Sequence, residues 1–173
     1  MSIRFLLVIL FGLIVFIIQQ SNVPIDTRKF EGLRLCPYKD SVGKLTVGYG
    51  HNVQGGSDAN LVRAGINRKE LLKKKCITQH QADQLFKYDM EHVRSQVEKL
   101  IKSYDDQPLA MRLVLDDMGF NLGIGGLSKF KRFIDAIDSN NYKQAAVELK
   151  KTKWYKQVKT RAVIIENTVK ELQ

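Results

Sequence analysis

The sequence predicts an α+β domain, mainly α, in which a small β-rich N-terminal lobe precedes a larger helical C-terminal lobe. Three observations carry this. Apolar residues alternate along SVGKLTVGYGHNV, where Val42, Leu45, Val47 and Tyr49 are interrupted by Gly43, Gly48 and Gly50, the pattern of a small antiparallel hairpin. From Thr78 onward Ala82, Leu85, Phe86, Met90, Val93, Val97, Leu100 and Ile101 keep helical spacing. Beyond Pro108 almost every segment repeats that spacing, with glycine or asparagine between segments. A chain of 173 residues, 44% hydrophobic and 27% charged, is one foldable domain with room for an appendage, which excludes a disordered or collagenous chain.

The appendage is residues 1–25, and the folded domain is expected over residues 26–173. Residues 5–18, FLLVILFGLIVFII, form an apolar run of 14 without a polar side chain. At helical rise such a run spans about 21 Å against a hydrocarbon core of about 30 Å, short for a permanent span. Arg4 before it favours an N-terminus-in orientation and an exported body. QQSNVPID offers no small-residue cleavage pattern, so the run reads as an uncleaved signal anchor. The alternative, a buried helix of the fold, sits awkwardly because the run is apolar on every face.

Pro24 blocks continuation of that run, and TRKFEGLRL then reads as a short helix, with Thr27 as N-cap and Phe30, Leu33 and Leu35 on one face, ended by Pro37. After the hairpin comes a loop, NVQGGSDAN, and then LVRAGINRKELLKKK, a charged segment of moderate helical character. Thr78 with Gln81 makes a capping box at the head of a helix of six or seven turns, expected to span the two lobes. The segment from about Pro108 to Asn121, apolar nearly all round, should be the central buried helix. Gly123, Gly125 and Gly126 break it, and FKRFIDAI, NYKQAAVELKK and VKTRAVIIENTVKEL give three more helices, with Trp154 just before the last.

The formal net charge is +10, yet the lysines do not interleave with aromatics as a single-strand groove would, so nucleic acid is not an expected partner. Between Lys143 and Lys170 eight Lys or Arg face only Glu148 and Glu166, a basic face that would steer the chain to anionic polymers or lie solvated with no partner. Cys36 and Cys76 can close one bridge in an oxidising compartment, or stay as two buried thiols. Neither has the surroundings of a thiol nucleophile, and their spacing fits no zinc site.

The candidate site is FEGLRLCPYKDSVGKLTVGYGHN. It sets one carboxylate, Glu31, at the end of the short helix and a second, Asp40, on the turn into the hairpin. Cleaving a glycosidic bond needs one carboxylic acid to protonate the leaving oxygen and one carboxylate to orient water or stabilise an oxocarbenium-like transition state. Thr46 can hydrogen-bond a water beside Asp40, although a strand threonine is ordinarily a packing residue. Spacing alone is weak support, because acid pairs nine residues apart are common.

The whole string, E-G-L-R-L, then Y-K-D, then G-x-L-T-V-G-Y-G-H, resembles the phage-type lysozymes, the endolysin muramidases of glycoside hydrolase family 24. The likeness continues through ITQHQADQLF, FNLGIGGLSKF and AAVELKKTKWYKQVKTRA, over roughly residues 28 to 168. It implies a lysozyme-like fold with the active-site cleft between the lobes, Glu31 as general acid, and Asp40 with Thr46 positioning the attacking water. It further implies that His51 braces the hairpin, that Asn121 contacts sugar where a helix cap is the plain alternative, and that Arg161 pairs with Glu31 where a surface charge is the plain alternative. Trp154 matches a core aromatic.

With the apolar N-terminus, the chain looks like the signal-anchor-release endolysins. The run has one glycine and no alanine, and no thiol, so release and thiol switching depart from that pattern whereas export does not. The expectation is therefore a peptidoglycan muramidase that lyses the host by cutting between N-acetylmuramic acid and N-acetylglucosamine. It would be a monomer without metal or cofactor, exported to the periplasmic face of the host inner membrane through residues 5–18, or released to the periplasm. The rivals are a lytic transglycosylase, which needs the acid but no positioned water, and a membrane-tethered glycan-binding protein without turnover.

Overall fold

The computed structural model describes residues 25–55 and 57–173. The apolar run at residues 5–18 lies outside the described residues, and no described helix is long and apolar enough to cross a membrane. The chain divides into a hairpin unit, residues 26–100 with 116–128, and a helical unit, residues 101–115 with 129–173.

In the hairpin unit α1 (Thr27–Glu31) is a helix of little more than one turn. Its N-cap is Asp26, whose carboxylate accepts from the Arg28 amide at 3.2 Å, and not Thr27. Thr27 sits inside the first turn, with its hydroxyl donating to Asp117 at 2.7 Å, because a buried carboxylate competes for it more strongly than the helix end does. Gly32, at φ 71°, ends the helix, so Leu33 and Leu35 do not extend it. The chain instead enters β1 (Arg34–Lys39), which pairs with β2 (Leu45–Gly48), and β2 pairs with β3 (His51–Asn52), all antiparallel in the order β1-β2-β3. Pro37, expected to close a helix, lies within this edge strand, where the register shifts between Arg34 and Tyr38 and the irregularity accommodates a residue without an amide.

The charged segment that follows forms two short helices, α2 (Asp58–Arg63) capped by Ser57 and α3 (Arg68–Leu72) capped by Asn67. At the head of α4 (Gln79–Leu100) the capping box is reciprocal: the Thr78 amide donates to Gln81 Oε1 at 3.0 Å and the Gln81 amide to Thr78 Oγ1 at 3.1 Å. Val47, Val53, Leu61, Leu71, Ile77 and Leu85 pack into the core under the sheet. Cys36 of β1 and Cys76, two residues before that box, form a disulfide.

The long helix was expected to span the two lobes; it falls wholly within the hairpin unit. The helix divided between units is α5 (Leu109–Leu122). Gly119 in its second half is required by close packing, since a Cβ there would lie 2.7 Å from Val97 Cγ2 on α4. The glycines beyond it do not leave a bare break but form the single turn α6 (Ile124–Leu127).

The helical unit holds a 3-10 turn (Tyr104–Asp106), the first half of α5, and α7 (Lys131–Asp138), α8 (Tyr142–Lys150), α9 (Lys153–Val158) and α10 (Thr160–Lys170). Trp154 is not in a connector. Thr152 caps α9 by accepting from the Tyr155 amide at 3.0 Å, and the buried indole meets Phe130 at 6.1 Å between ring centroids. Phe133, Ile137, Leu149 and Ile165 supply large buried side chains.

Candidate active site

Glu31 is the last residue of α1, so the helix that Asp26 starts and Gly32 stops sets where its carboxylate goes. That carboxylate lies against the turn between β2 and β3. A Cβ built on Gly50, at φ 90°, would sit 3.2 Å from Glu31 Oε2 and 3.8 Å from Phe120 Cε1. The backbone angle favours glycine there, and a side chain would press the carboxyl group aside. Phe120 in turn packs on Phe86, and Phe86 on Tyr49, at centroid separations of 5.5 and 5.3 Å. The end of this aromatic row and the Glu31 carboxyl thus both border Gly50.

Asp40 opens the turn between β1 and β2. Its Oδ1 accepts from the amides of Val42 at 2.9 Å and Lys44 at 2.8 Å, the local bonding that makes aspartate a turn residue. Both bonds end on Oδ1. Thr46, buried in β2, donates its hydroxyl to the Lys44 carbonyl at 3.1 Å, and the Asp40 amide donates to that same carbonyl at 2.9 Å. The main chain of one residue, Lys44, therefore anchors both side chains, the carboxylate through its amide and the hydroxyl through its carbonyl. Strand pairing aligns Tyr38, Thr46 and Asn52 across the sheet.

Tyr38 connects the two acids electrostatically. Burial raises its phenol pKa first, the Arg34 guanidinium opposes that, and the charges of Glu31 and Asp40 both raise it further. Arg34 lies over its ring, 4.4 Å from the centroid. Tyr38 was not singled out from the sequence; its position two residues before Asp40 on an alternating strand was the available signal.

His51, buried on β3, shares a 2.7 Å hydrogen bond between Nδ1 and Asp89 Oδ2 of α4, while Asp89 Oδ1 accepts from Asn60 at 2.9 Å. It ties the sheet to the long helix. Asn121 is an exposed residue inside α5, one position past Phe120, and not the cap of that helix. Arg161 belongs to the helical unit, in the first turn of α10, and it is buried, so the plain reading as a surface charge does not hold. The reading also missed Asp89, and Asp117, whose place beside Asp116 in an otherwise apolar helix is the kind of anomaly that flags a buried polar contact.

The basic face is narrower than the sequence count suggests. Glu166 receives Lys150 Nζ at 2.9 Å and Lys170 Nζ on Oε1, and the Tyr155 hydroxyl on Oε2. Glu148 holds Lys151 at 2.7 Å. Three of the eight cations are thus spent internally, and Arg161 is a buried fourth. Among the described residues no cluster of three His, Cys, Asp or Glu could hold a metal ion.

Against known proteins, the profile of the phage lysozyme family matches residues 28–166. "Probable T4-type lysozyme 2" of Dictyostelium discoideum is 28% identical over 142 residues, covering 76% of this chain and 84% of that protein. "Probable T4-type lysozyme 1" of the same organism is 25% identical over 142 residues, with coverages of 76% and 84%. The "Pre-baseplate central spike protein Gp5" of Enterobacteria phage T4 is 26% identical over 144 residues, 78% of this chain but 25% of that longer protein. With a mainly helical fold, a three-stranded antiparallel sheet and a match over most of its length, the chain belongs to the phage lysozyme family, the muramidase-type hydrolases of peptidoglycan.

Proposed function

We propose that the chain is an endolysin that hydrolyses the β-1,4 bond between N-acetylmuramic acid and N-acetylglucosamine, with Glu31 as general acid and Asp40 and Thr46 directing the water. The observation that carries this reading is the shared anchor at Lys44. The Thr46 hydroxyl hydrogen is committed to the Lys44 carbonyl, so toward a neighbouring water it offers lone pairs. Asp40 spends Oδ1 on two amides and keeps Oδ2 to accept. Two acceptors take the two hydrogens of one water, leaving its lone pair for the anomeric carbon.

In the reaction Glu31 gives its proton to the glycosidic oxygen as the bond to the anomeric carbon breaks. The water oxygen bonds to that carbon and its proton passes to Asp40. A lytic transglycosylase would have no use for the second acceptor pair. Asn121 as a sugar contact enters this reading through the family resemblance, and His51 supports the sheet through Asp89.

The compartment follows from two features. Residues 5–18 direct export and hold the chain at the host inner membrane facing the periplasm, and the disulfide suits an oxidising space. The residual cations of the helical unit bring the enzyme, as a monomer, to the anionic wall, and lysis of the host is the outcome.

The test is release of reducing ends from purified peptidoglycan by the full-length chain in mild detergent, beside Glu31→Gln, with mass spectrometry of the products. Hydrated reducing ends from the wild type alone are expected. Anhydro ends would move the chain to the transglycosylases, and equal behaviour of the two proteins would end the hydrolase reading.

A further inference from the structure

Tyr38 has a ring that is held and a hydroxyl that is not. Arg34 lies over the ring at 4.4 Å, and the strand register sets Tyr38 opposite Thr46. Asp40 follows in the turn two residues on, and its charge, with that of Glu31, reaches the Tyr38 phenol. Among the described residues the Tyr38 hydroxyl makes no hydrogen bond. Tyr49 spends its hydroxyl on Asp83 at 2.9 Å, Tyr142 on Gln107 at 3.1 Å and Tyr155 on Glu166, whereas Tyr88 shares the pattern of Tyr38 under Arg63 at 3.8 Å, so it is the place beside Glu31 and Asp40 that sets Tyr38 apart. A half-buried phenol with no internal partner, in the field of both candidate catalytic acids, is a donor left for a ligand. That hydroxyl is not closed off from solvent, so a ligand oxygen can take the place of water as its acceptor without breaking a protein bond.

We propose that Tyr38 is a substrate-binding residue of the glycan site, donating its hydroxyl to an oxygen of the sugar that lies by Glu31 and Asp40, with Arg34 clamping the ring in the binding orientation. The assignment rests on the glycan-hydrolase reading above. Burial and the two acidic neighbours keep the phenol protonated through the neutral range, so it serves as a donor and not as an anion. The role is recognition: a clamped ring loses little freedom on binding, which is the value of a preorganised contact.

The experiment compares Tyr38→Phe, which deletes only the hydroxyl, with the wild type in the full-length chain, and repeats the pair in a Glu31→Gln background by co-sedimentation with insoluble peptidoglycan. Loss of one neutral hydrogen bond predicts kcat/KM lower by about three- to tenfold, carried mainly by KM, and weaker sedimentation by a similar factor. Arg34→Met, which frees the ring, should weaken binding by a smaller factor. Thermal melting of Tyr38→Phe should match the wild type, because no protein bond is lost.

Binding and kcat/KM within twofold of wild type would overturn the proposal. So would a melting temperature lowered by several degrees, which would put the hydroxyl in an internal bond. A wild-type chain that sediments with peptidoglycan but releases no ends would sink the hydrolase reading alone, since the Tyr38→Phe comparison by sedimentation would still decide whether the contact exists.

Discussion

Glu166 and Glu148 of the helical unit and Asp40 of the hairpin unit are held in opposite ways. In the helical unit Glu166 is closed off by the cations Lys150 and Lys170 and by the Tyr155 hydroxyl, and Glu148 by Lys151. In the hairpin unit Asp40 is held by backbone amides through one oxygen, and Glu31 rests on a glycine beside a phenyl ring. Side-chain ion pairs fix a carboxylate by using up its charge. Backbone amides fix it while leaving a lone-pair face for another molecule. A carboxylate is closed at Glu166 and keeps an accepting oxygen at Asp40 because of what holds it.

The contrast can be broken most severely at Glu31. Loss of a general acid costs typically 10²–10⁴-fold in rate, so Glu31→Gln should lose about three orders of magnitude of peptidoglycan hydrolysis with little change in melting temperature. A large fall in stability would show that the hairpin unit uses this acid to hold itself together.

Next in size is the disulfide. Cross-linking positions 40 residues apart restricts the unfolded chain by about 4 kcal/mol on the chain-entropy account, so replacing Cys36 and Cys76 with serine should lower stability by up to that amount in denaturant titrations.

Glu166→Gln comes third. Its partners Lys150 and Lys170 are about half exposed and return to water, so the loss should be about 1 kcal/mol, and specific activity of the folded fraction should stay unchanged. The pH dependence has a definite sign. Burial raises the Glu166 pKa, but the hydrogen bonds from Lys170, Tyr155 and Lys150 outweigh it and hold the carboxyl down at about 2. Its folded value lies below its unfolded one, so its contribution is complete above about pH 4.5 and is lost as the pH falls toward 2. Denaturant titrations between those pH values should show a fall in wild-type stability that Glu166→Gln lacks. The same hydrogen bond, with burial and the charge of Glu166 adding, pushes the Tyr155 phenol up to about 12.

The smallest effect sharpens the comparison from the other side. Lys159, between α9 and α10, adopts φ 45° and ψ −109°, a conformation open to glycine and strained for lysine. Lys159→Gly should raise stability by about 1 kcal/mol, read as a higher melting temperature.

What the sequence made legible was local. The Thr78–Gln81 box, the glycine-interrupted hairpin and α5 each depend on residues within a few positions of one another, and periodicity or capping chemistry exposes them. What it concealed depends on partners far along the chain. Thr27 looks like a cap until Asp117, 90 residues away, claims its hydroxyl. Leu33 and Leu35 fit a helical face, yet the pairing of Arg34 with Gly48 makes that stretch a strand, Pro37 included. Lys150 and Lys170 read as solvated charges because nothing in their spacing announces that both meet Glu166. The candidate site was legible as a string of residues, while the way Lys44 gathers Asp40 and Thr46 was not, since the anchoring groups are main-chain atoms that carry no sequence signal.

The bond between Cys36 and Cys76 also makes a covalent ring that contains Asp40, Thr46 and His51, with Glu31 attached just outside it. A single peptide cleavage anywhere between residues 37 and 75 leaves both fragments in one molecule. A nicked chain would therefore keep its two candidate acids tethered for as long as the two sulfurs stay joined, and proteolysis of the exposed loops and reduction of the bond would have to act together to take the site apart.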